Sequence, residues 1–162
     1  MKIRYQFLSF LLLLFLGNLT AQSNQYLHLE RPDDWVEIPN ASAWIAGSTE
    51  ITMAGWFYTD ELVYGQGMLG IRGGGTGEGE MYLIQLNNGK LECRLKTATG
   101  LHEYASPNFT IVPQVWQHLA WVYNGSTISL YVDGVLKGSS SASGTISSMD
   151  TPYTIGRSIL SN

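Results

Sequence analysis

Short runs of alternating apolar and polar residues, separated by turn-forming residues, extend over most of the chain. The stretch "WQHLAWVYNGSTISLYVDGVLKGS", from Trp116 to Ser139, contains the turn signals Asn124-Gly125 and Asp133-Gly134 between alternating runs. Asn-Gly and Asp-Gly tolerate the positive φ angles of tight hairpin turns, and alternation on both sides strengthens the signal. The stretch therefore predicts three successive antiparallel strands.

Further short strands are predicted along the rest of the chain. The candidates are Tyr26–Leu29, Trp35–Ile38, Thr49–Asp60, Met68–Arg72, "MYLIQL", "KLECRLKTA", "LHEYASP", "FTIV" and "PYTIG", whereas Gly73–Glu80 and "SSSASGTISS" are predicted as loops. A 3.6-residue apolar period does not continue far enough for a substantial helix. Many short strands with frequent turns are typical of an all-β sandwich or barrel.

The first 21 residues have the order of a secretory signal peptide. Lys2 and Arg4 give a positive start, Phe7–Leu16 is apolar, and Leu19-Thr20-Ala21 ends on a small residue. The apolar run is short for a bilayer span, which needs about 20 residues, although an uncleaved anchor is the alternative. We predict cleavage after Ala21, a secreted or cell-surface protein, and a mature domain of residues 22–162 without a membrane span.

The charge of the mature chain excludes one class of partner. Loss of Lys2 and Arg4 leaves 7 of the 9 basic side chains against 13 acidic ones, a net charge of −6. Proteins that bind nucleic acids carry clustered basic side chains, because they neutralise phosphates. An acidic chain without such clusters is not expected to bind nucleic acid.

The chain contains one cysteine, Cys93, so an internal disulfide is impossible. In "KLECRLKT", Leu91 and Leu95 share one face of a predicted strand with Cys93, and charged residues occupy the other face. The alternation predicts a buried thiol that behaves as a small apolar side chain. A catalytic nucleophile or an intermolecular link is the alternative.

The segments "LHLERPDDWVEIP", "ITMAGWFYTDE", "WQHLAWVYNGSTISLYVDGVLKGSSSASGTI" and "PYTIGRS" occur in a distinctive order. On these segments the chain resembles the laminin G-like domains of the concanavalin A-like lectin/glucanase superfamily, from about Tyr26 to Arg157. The resemblance implies a two-sheet antiparallel β-sandwich, a jelly roll with one concave and one convex sheet. The meander from Trp116 to Ser139 would supply three neighbouring strands.

The chain departs from the family near its first predicted strand. The family often has Asp-Gly there, where this chain has Glu30-Arg31, and some members hold a structural Ca²⁺ nearby. Glu30, Asp33 and Asp34 could supply the oxygen ligands that Ca²⁺ prefers. A solvated turn at Asp33-Asp34 is the other interpretation. We predict no cofactor and no metal site, and a structural Ca²⁺ remains the open alternative.

A second departure concerns the last strand of the family, which should follow "TIGRS". The sequence ends at Asn162, so the resemblance implies that this strand is missing. An open sheet edge recruits strands from other chains. Residues 22–162 are therefore expected to be marginally stable and to self-associate.

Candidate catalytic carboxylates are poorly placed. Glycosidases use two carboxylates across the scissile bond, and related glucanases carry them as Glu-x-Asp-x-x-Glu on one strand, a pattern that this sequence lacks. Glu78 and Glu80 lie in the predicted Gly-rich loop, which cannot fix their separation. Asp60 and Glu61 would face opposite sides of a strand. We predict no catalytic residue and no enzymatic activity.

Histidines do not change this prediction. His28, His102 and His118 have no metal-ligand spacing, and His118 lies in a predicted strand, where packing or surface exposure is expected.

Aromatic residues on strands are the remaining candidates for ligand contact, although such residues also serve as core or cross-strand partners. They are Trp56, Tyr58, Tyr64, Tyr82, Tyr104, Trp121, Tyr123 and Tyr131. Tyr58 and Tyr131 alternate with apolar neighbours and are expected outside the core, but no ligand-binding residue is assigned.

The predicted function is a secreted, non-catalytic module that binds an extracellular glycan or protein, within a larger protein. A structural or adhesive spacer is the alternative, and a fragment of a glycan-degrading hydrolase is the least favoured.

Overall fold

Two antiparallel β-sheets face each other in the computed structural model, which describes residues 25–30, 34–72, 80–148 and 152–157. The elements are β1 (Val36–Ile38), α1 (Ala41–Ile45), β2 (Ile51–Phe57), β3 (Gln66–Arg72), β4 (Glu80–Leu86), a 3₁₀ turn (Asn87–Gly89), β5 (Lys90–Thr97), β6 (Gly100–Ala105), β7 (Gln117–Tyr123), β8 (Thr127–Val132), β9 (Val135–Ser141) and β10 (Tyr153–Ile155). The architecture confirms the predicted all-β jelly-roll sandwich.

The larger sheet contains six strands in the order β1-β10-β3-β4-β5-β6. Its strand β10 lies between β1 and β3, with Val36 opposite Ile155 and Gly70 opposite Thr154. In β5 the buried residues alternate with half-buried charged ones, as the sequence pattern predicts. Cys93 is one of the buried residues, and burial raises the pKa of its thiol to about 12. The thiol is therefore packed as an apolar group.

The smaller sheet contains four strands in the order β2-β7-β8-β9. Alternation on β7 directs Leu119, Trp121 and Tyr123 toward the six-stranded sheet, where they are almost completely buried. Ile128 and Leu130 on β8 are buried in the same layer. The core thus lies between the two sheets and is built mainly from alternate residues of β5, β7 and β8.

The predicted meander is confirmed, but its two turns differ. Asp133 and Gly134 both have positive φ, 51° and 76°, as a two-residue type I′ hairpin requires. The connection between β7 and β8 is longer, and Asn124 caps it through Oδ1, which accepts the N–H groups of Ser126 (3.1 Å) and Thr127 (2.9 Å). The side chain of Asn124 therefore stabilises this connection with hydrogen bonds that a tight turn would form through its backbone.

Replacing Gly134 with valine is expected to destabilise the β8–β9 hairpin. No atom lies within 4 Å of a Cβ added at Gly134, so the cost comes from the positive φ alone. A β-branched residue in this conformation should lower the free energy of unfolding by about 1–3 kcal/mol, measured by urea titration. Gly134→Asn is the matched control, because asparagine tolerates left-handed backbone. Equal losses for both variants would contradict a conformational origin.

Two strand predictions and the start of one predicted loop are wrong. Residues 25–30 form no strand, because Tyr26 packs its ring on Trp116 instead of entering a β-ladder. "FTIV" is a turn, in which Phe109 and Ile111 donate their backbone N–H groups to Asn88 and Gly89 across the end of β4–β5. The polar loop predicted at "SSSASGTISS" begins later, since β9 continues to Ser141 in a ladder with β8.

Two other boundaries also differ. Glu80 is the first residue of β4 rather than part of the Gly-rich loop. The strand predicted over Thr49–Asp60 is shorter, and Asp60 and Glu61 lie in a bend after it.

Several predictions concern parts of the chain outside the described residues. These parts are the signal peptide 1–21, Asp33, residues 73–79 with Glu78, and the segment after Arg157. Within the part of the chain that is described, no helix has the length and apolar character needed to cross a membrane.

Candidate functional site

Exposed aromatic side chains gather at the end of the sandwich where β2 stops and β7 starts. Phe57 is opposite Gln117 in the sheet, so the flanking residues Tyr58 and Trp116 emerge side by side, with ring centroids 5.6 Å apart. Tyr26 also contacts the ring of Trp116, in an edge-to-face arrangement with ring centroids 5.5 Å apart. We call Tyr26, Tyr58 and Trp116 the aromatic cluster.

The rings of the aromatic cluster remain largely open to solvent despite these contacts. The exposed fraction is 67% for Tyr26, 44% for Tyr58 and 45% for Trp116. Aromatic rings provide large contact areas, and tyrosine adds a hydroxyl that can bond to a ligand or water. A surface of this composition favours a ligand that combines apolar faces with polar groups.

A second aromatic pair lies on the outer face of the four-stranded sheet beside the cluster. Trp56 alternates with the inward-facing Phe57 and is 64% exposed. Its ring meets that of His118, the opposite residue on β7, at 5.5 Å in an edge-to-face arrangement. His118 is therefore a packing partner on the surface, as the sequence pattern suggests. The pair extends the aromatic surface along the sheet.

Hydrogen bonds hold the loops around the aromatic cluster in place. The fully buried side chain of Gln85 donates Nε2 to the carbonyl oxygens of Glu61 (3.0 Å) and Val63 (3.2 Å). The N–H of Gln114 donates to the carbonyl oxygen of Thr59 at 2.7 Å and joins the loop before β7 to the loop after β2. Such anchoring reduces the ordering cost of binding.

The same loops present further apolar side chains to solvent. Phe109 has a φ of 58°, an uncommon conformation for a bulky residue, and its side chain is 73% exposed. Unusual backbone conformations persist where neighbouring structure imposes them, and here the N–H of Phe109 is bonded to Asn88 at 2.6 Å. The other large exposed apolar residues of these loops are Val63, Tyr64, Val112 and Val115. This end of the sandwich is therefore rich in exposed apolar surface.

The structure separates the aromatic residues singled out from the sequence into core and surface groups. Tyr82, Trp121 and Tyr123 are buried, and Tyr104 reaches across to β9, where its hydroxyl donates to the carbonyl oxygen of Lys137 at 2.7 Å. The exposed group consists of Trp56, Tyr58 and Tyr64, and Tyr131 is half-buried. The expectation that Tyr58 and Tyr131 lie outside the core is confirmed.

Tyr26 and Trp116 are not among the surface candidates predicted from the sequence. Trp116 lies directly before an alternating run. Its position outside the predicted alternation is the sequence feature that could have indicated an exposed side chain. No sequence signal connected Trp116 to the distant Tyr26.

A network of charges occupies the outer face of the six-stranded sheet, where the alternation of β5 places Glu92 and Arg94. The Nε atom of Arg94 is 3.0 Å from both Glu92 Oε1 and Glu103 Oε2. The hydroxyl of the buried Tyr82 donates to Glu92 Oε1 at 2.8 Å. The guanidinium of Arg94 lies between the carboxylates of Glu92 and Glu103. In a glycosidase, the scissile bond of the substrate occupies the space between the two catalytic carboxylates. We interpret this network as a structural ion cluster.

The three histidines lie in separate environments. Nδ1 of His28 is 3.3 Å from Glu30 Oε1, and Nε2 of His102 is 3.0 Å from Thr97 Oγ1, whereas His118 contacts Trp56. Among the described residues, no three metal-ligating side chains come together. For the possible Ca²⁺ site, Asp34 Oδ2 accepts the N–H of Glu30 at 3.3 Å, and Asp33 lies outside the described residues.

A shallow hydroxyl-rich cavity of about 370 Å³ lies between β6 and β9, near the β7–β8 turn and so away from the aromatic cluster. Its lining consists of His102, Gly125, Ser126, Ser141, Ala142 and Ser143. The neighbouring hydroxyl groups of Thr97 and Thr99 already donate to the carbonyl oxygen of Ser143, at 2.6 and 2.7 Å. These hydroxyl groups therefore hold the loop at Ser143 in place and need no ligand as a partner. The aromatic cluster is the stronger candidate site.

Comparisons with known proteins agree with the fold. The family model described as the concanavalin A-like lectin/glucanases superfamily matches residues 30–162. A comparison with curated protein sequences found no match.

Solved structures with the same fold share little sequence with the chain. Mouse laminin alpha1 chain domains LG4-5 give a TM-score of 0.53 at 16% identity, covering 70% of this chain and 30% of that one. The Ruminococcus gnavus IT-sialidase CBM40 bound to alpha2,3 sialyllactose gives 0.57 at 15% identity, with 74% and 69% covered. The receptor binding domain of botulinum neurotoxin D gives 0.57 at 15% identity, with 79% and 34% covered. The chain therefore spans about a third of the laminin and toxin structures, and the likeness concerns the fold.

Proposed function

The chain belongs to the concanavalin A-like lectin/glucanase superfamily, and on that premise we propose that it is a non-catalytic module that binds an extracellular glycan or protein, with a glycan as the favoured ligand. The observation that carries the proposal is the aromatic cluster of Tyr26, Tyr58 and Trp116, which leaves three ring surfaces open, with Tyr58 and Trp116 next to loops that hydrogen bonds anchor.

The chemistry of the aromatic cluster suits a sugar. A pyranose ring has faces of C–H groups and a periphery of hydroxyls, so it can pack on an aromatic ring while its hydroxyls bond to tyrosine, backbone or water. Ligand sites commonly combine apolar and aromatic lining with a few placed polar groups. The neighbouring structures named for a bound sialyllactose and for receptor binding support a binding role for this fold, although fold alone does not determine function.

Export of the protein is part of the proposal. It rests on the order of the positive start, apolar run and small residue at positions 1–21, which is typical of a signal peptide. Export would bring the acidic domain to extracellular glycans and proteins.

A structural spacer is the second candidate. The ring contact between Tyr26 and Trp116 favours it, because this contact holds the segment before β1 against the sandwich and would do so without any ligand. A hydrolase is disfavoured because Arg94 lies between Glu92 and Glu103.

The test combines binding and turnover on one preparation of the folded protein. We expect the labelled protein to be retained by at least one glycan on an array of neutral, sialylated and sulfated sugars. We also expect no release of reducing ends from that glycan. Failure to bind any glycan, with folding verified by circular dichroism, would favour the spacer. Turnover that disappears in Glu92→Gln would contradict the non-catalytic assignment.

A further inference from the structure

Acidic side chains lie beside the aromatic cluster in the loop after β2. Asp60 follows Tyr58 by two residues, Glu61 comes next, and both acidic side chains are exposed. The loop that carries them is held in place, because the carbonyl oxygen of Thr59 accepts the N–H of Gln114 at 2.7 Å. Gln114 belongs to the loop that leads into β7, so the two carboxylates lie at the same end of the sandwich as the aromatic rings.

Two further carboxylates lie near the aromatic cluster. Asp133 is exposed in the β8–β9 turn, and its Oδ1 atom accepts the N–H of His118, near the start of β7, at 2.8 Å. In the segment before β1, Oε1 of Glu30 is 3.3 Å from Nδ1 of His28. The ring of His28 is in turn 6.1 Å from the ring of Tyr26. Together with the two in the loop after β2, these carboxylates give the cluster four acidic neighbours.

In the described segments around the cluster, no basic side chain offsets these carboxylates. Residues 25–30, 58–66, 107–118 and 133–136 contain the four acidic residues but neither lysine nor arginine. The faces of aromatic rings also carry partial negative charge. The surface at the aromatic cluster is therefore negative in its side chains and in its ring faces alike.

The basic side chains that the structure describes lie on other elements. They are Lys90, Arg94 and Lys96 on β5, Lys137 on β9, and Arg157. β5 belongs to the other sheet, and β9 is three strands, or roughly 14 Å, away from β2. The guanidinium of Arg157 lies 4.1 Å from the ring centroid of Trp35. None of these side chains belongs to a segment that forms or flanks the cluster.

We propose that the aromatic cluster selects glycans without anionic groups and disfavours sialylated and sulfated ones. This inference rests on the proposed glycan-binding function and specifies the class of its ligand. A sugar whose polar groups are hydroxyls can lie on the rings and donate hydrogen bonds to the neighbouring carboxylates, which are acceptors only. A sulfate group or a sialic acid would instead be placed among like charges and against ring faces that repel it.

The expected discrimination depends on the salt concentration. Four unit charges roughly 10 Å from an anionic group in water weaken its binding about tenfold at 0.01 M salt, where the Debye length is about 30 Å. At 0.15 M salt the Debye length is about 8 Å, and the same charges weaken binding only about twofold. Selection by the shape of the sugar would not depend on salt in this way. The salt dependence therefore identifies charge as the cause.

Titration calorimetry of the folded protein with matched glycan pairs tests the selectivity. Each neutral glycan retained by the array is compared with the same glycan carrying one sialic acid or one sulfate, for example lactose with sialyllactose. The neutral member should bind about tenfold more tightly at 0.01 M salt and about twofold more tightly at 0.15 M salt.

The outcomes separate this inference from the proposed function. An anionic member that binds as tightly as its neutral counterpart at 0.01 M salt would overturn the inference and leave glycan binding intact. An array that retains only anionic glycans, or a ratio of affinities that salt does not change, would have the same consequence. Retention of no glycan at all would overturn both the inference and the proposed function.

Reversal of a charge beside the cluster tests the source of the selectivity. Asp60→Lys changes the local charge by two units and should reduce the ratio of affinities at 0.01 M salt about threefold. Glu50→Lys is the matched control, because Glu50 is exposed directly before β2, roughly 25 Å along the strand from Tyr58, and should leave the ratio near its wild-type value. Glu61→Lys replaces Asp60→Lys if circular dichroism shows that variant to be unfolded. Equal ratios in the cluster and control variants would overturn the inference.

Discussion

Replacement of Trp121 by alanine is expected to lower the free energy of unfolding by about 3–5 kcal/mol, as for other large-to-small changes of buried aromatics. Trp121 is fully buried on β7 and lies between Met53 on β2 and Leu130 on β8. Its removal would leave a cavity in the middle of the four-stranded sheet. Because domains have about 5–15 kcal/mol of stability in total, the variant would lose a large share of it.

Trp121→Phe distinguishes the apolar contribution of this side chain from its polar one. The buried indole Nε1 has no hydrogen-bond partner among the described residues, and an unsatisfied buried donor costs about 1–3 kcal/mol. Phenylalanine keeps most of the ring and removes this donor, so we expect a loss well below that of alanine. Urea titrations followed by far-ultraviolet circular dichroism measure both variants. Equal losses would contradict the apolar explanation.

Trp116→Ala is expected to weaken the binding of any glycan identified on the array by about 30-fold, equivalent to about 2 kcal/mol. Trp116 contacts both other members of the aromatic cluster, so its loss removes the central ring and the support of Tyr26 and Tyr58. Titration calorimetry with that glycan measures the change.

Trp44→Ala is the matched control for this variant. Trp44 is 72% exposed on α1, outside the aromatic cluster, so its removal should leave the affinity unchanged. Tyr58→Ala provides a second measurement within the cluster if the Trp116 variant unfolds. Affinity that is unchanged in both cluster variants would show that the glycan binds elsewhere.

The strands that carry strict alternation were predictable from the sequence. In β5, Leu91 and Leu95 share the buried face with Cys93, and in the β8–β9 hairpin Asp133-Gly134 supplies the two positive φ angles. In both cases the decisive information lies within a few neighbouring residues. Local periodicity and turn chemistry therefore reported these elements correctly.

The errors arose where the decisive contacts are distant in sequence. "FTIV" has a strand-like composition, but its backbone N–H groups donate to carbonyl oxygens in the turn between β4 and β5. The side chain of Ile111 is buried in the core. The aromatic cluster joins Tyr26 to Trp116, and the charge network joins Glu92 to Glu103 on another strand. Alternation along the sequence predicts which face of a strand a residue occupies. It does not predict which strands are neighbours, and that pairing brings the aromatic cluster and the charge network together.

The position of β10 determines when the larger sheet can be completed during biosynthesis. β10 fills the slot between β1 and β3, so residues near position 155 complete a ladder with residues near position 36. Contacts between such distant residues form slowly, because the intervening chain must first lose much of its freedom. The β7–β8–β9 meander has short connections and can assemble locally. β1 therefore acquires its neighbour only after residues 153–155 have been synthesised, so the six-stranded sheet is completed later than the meander.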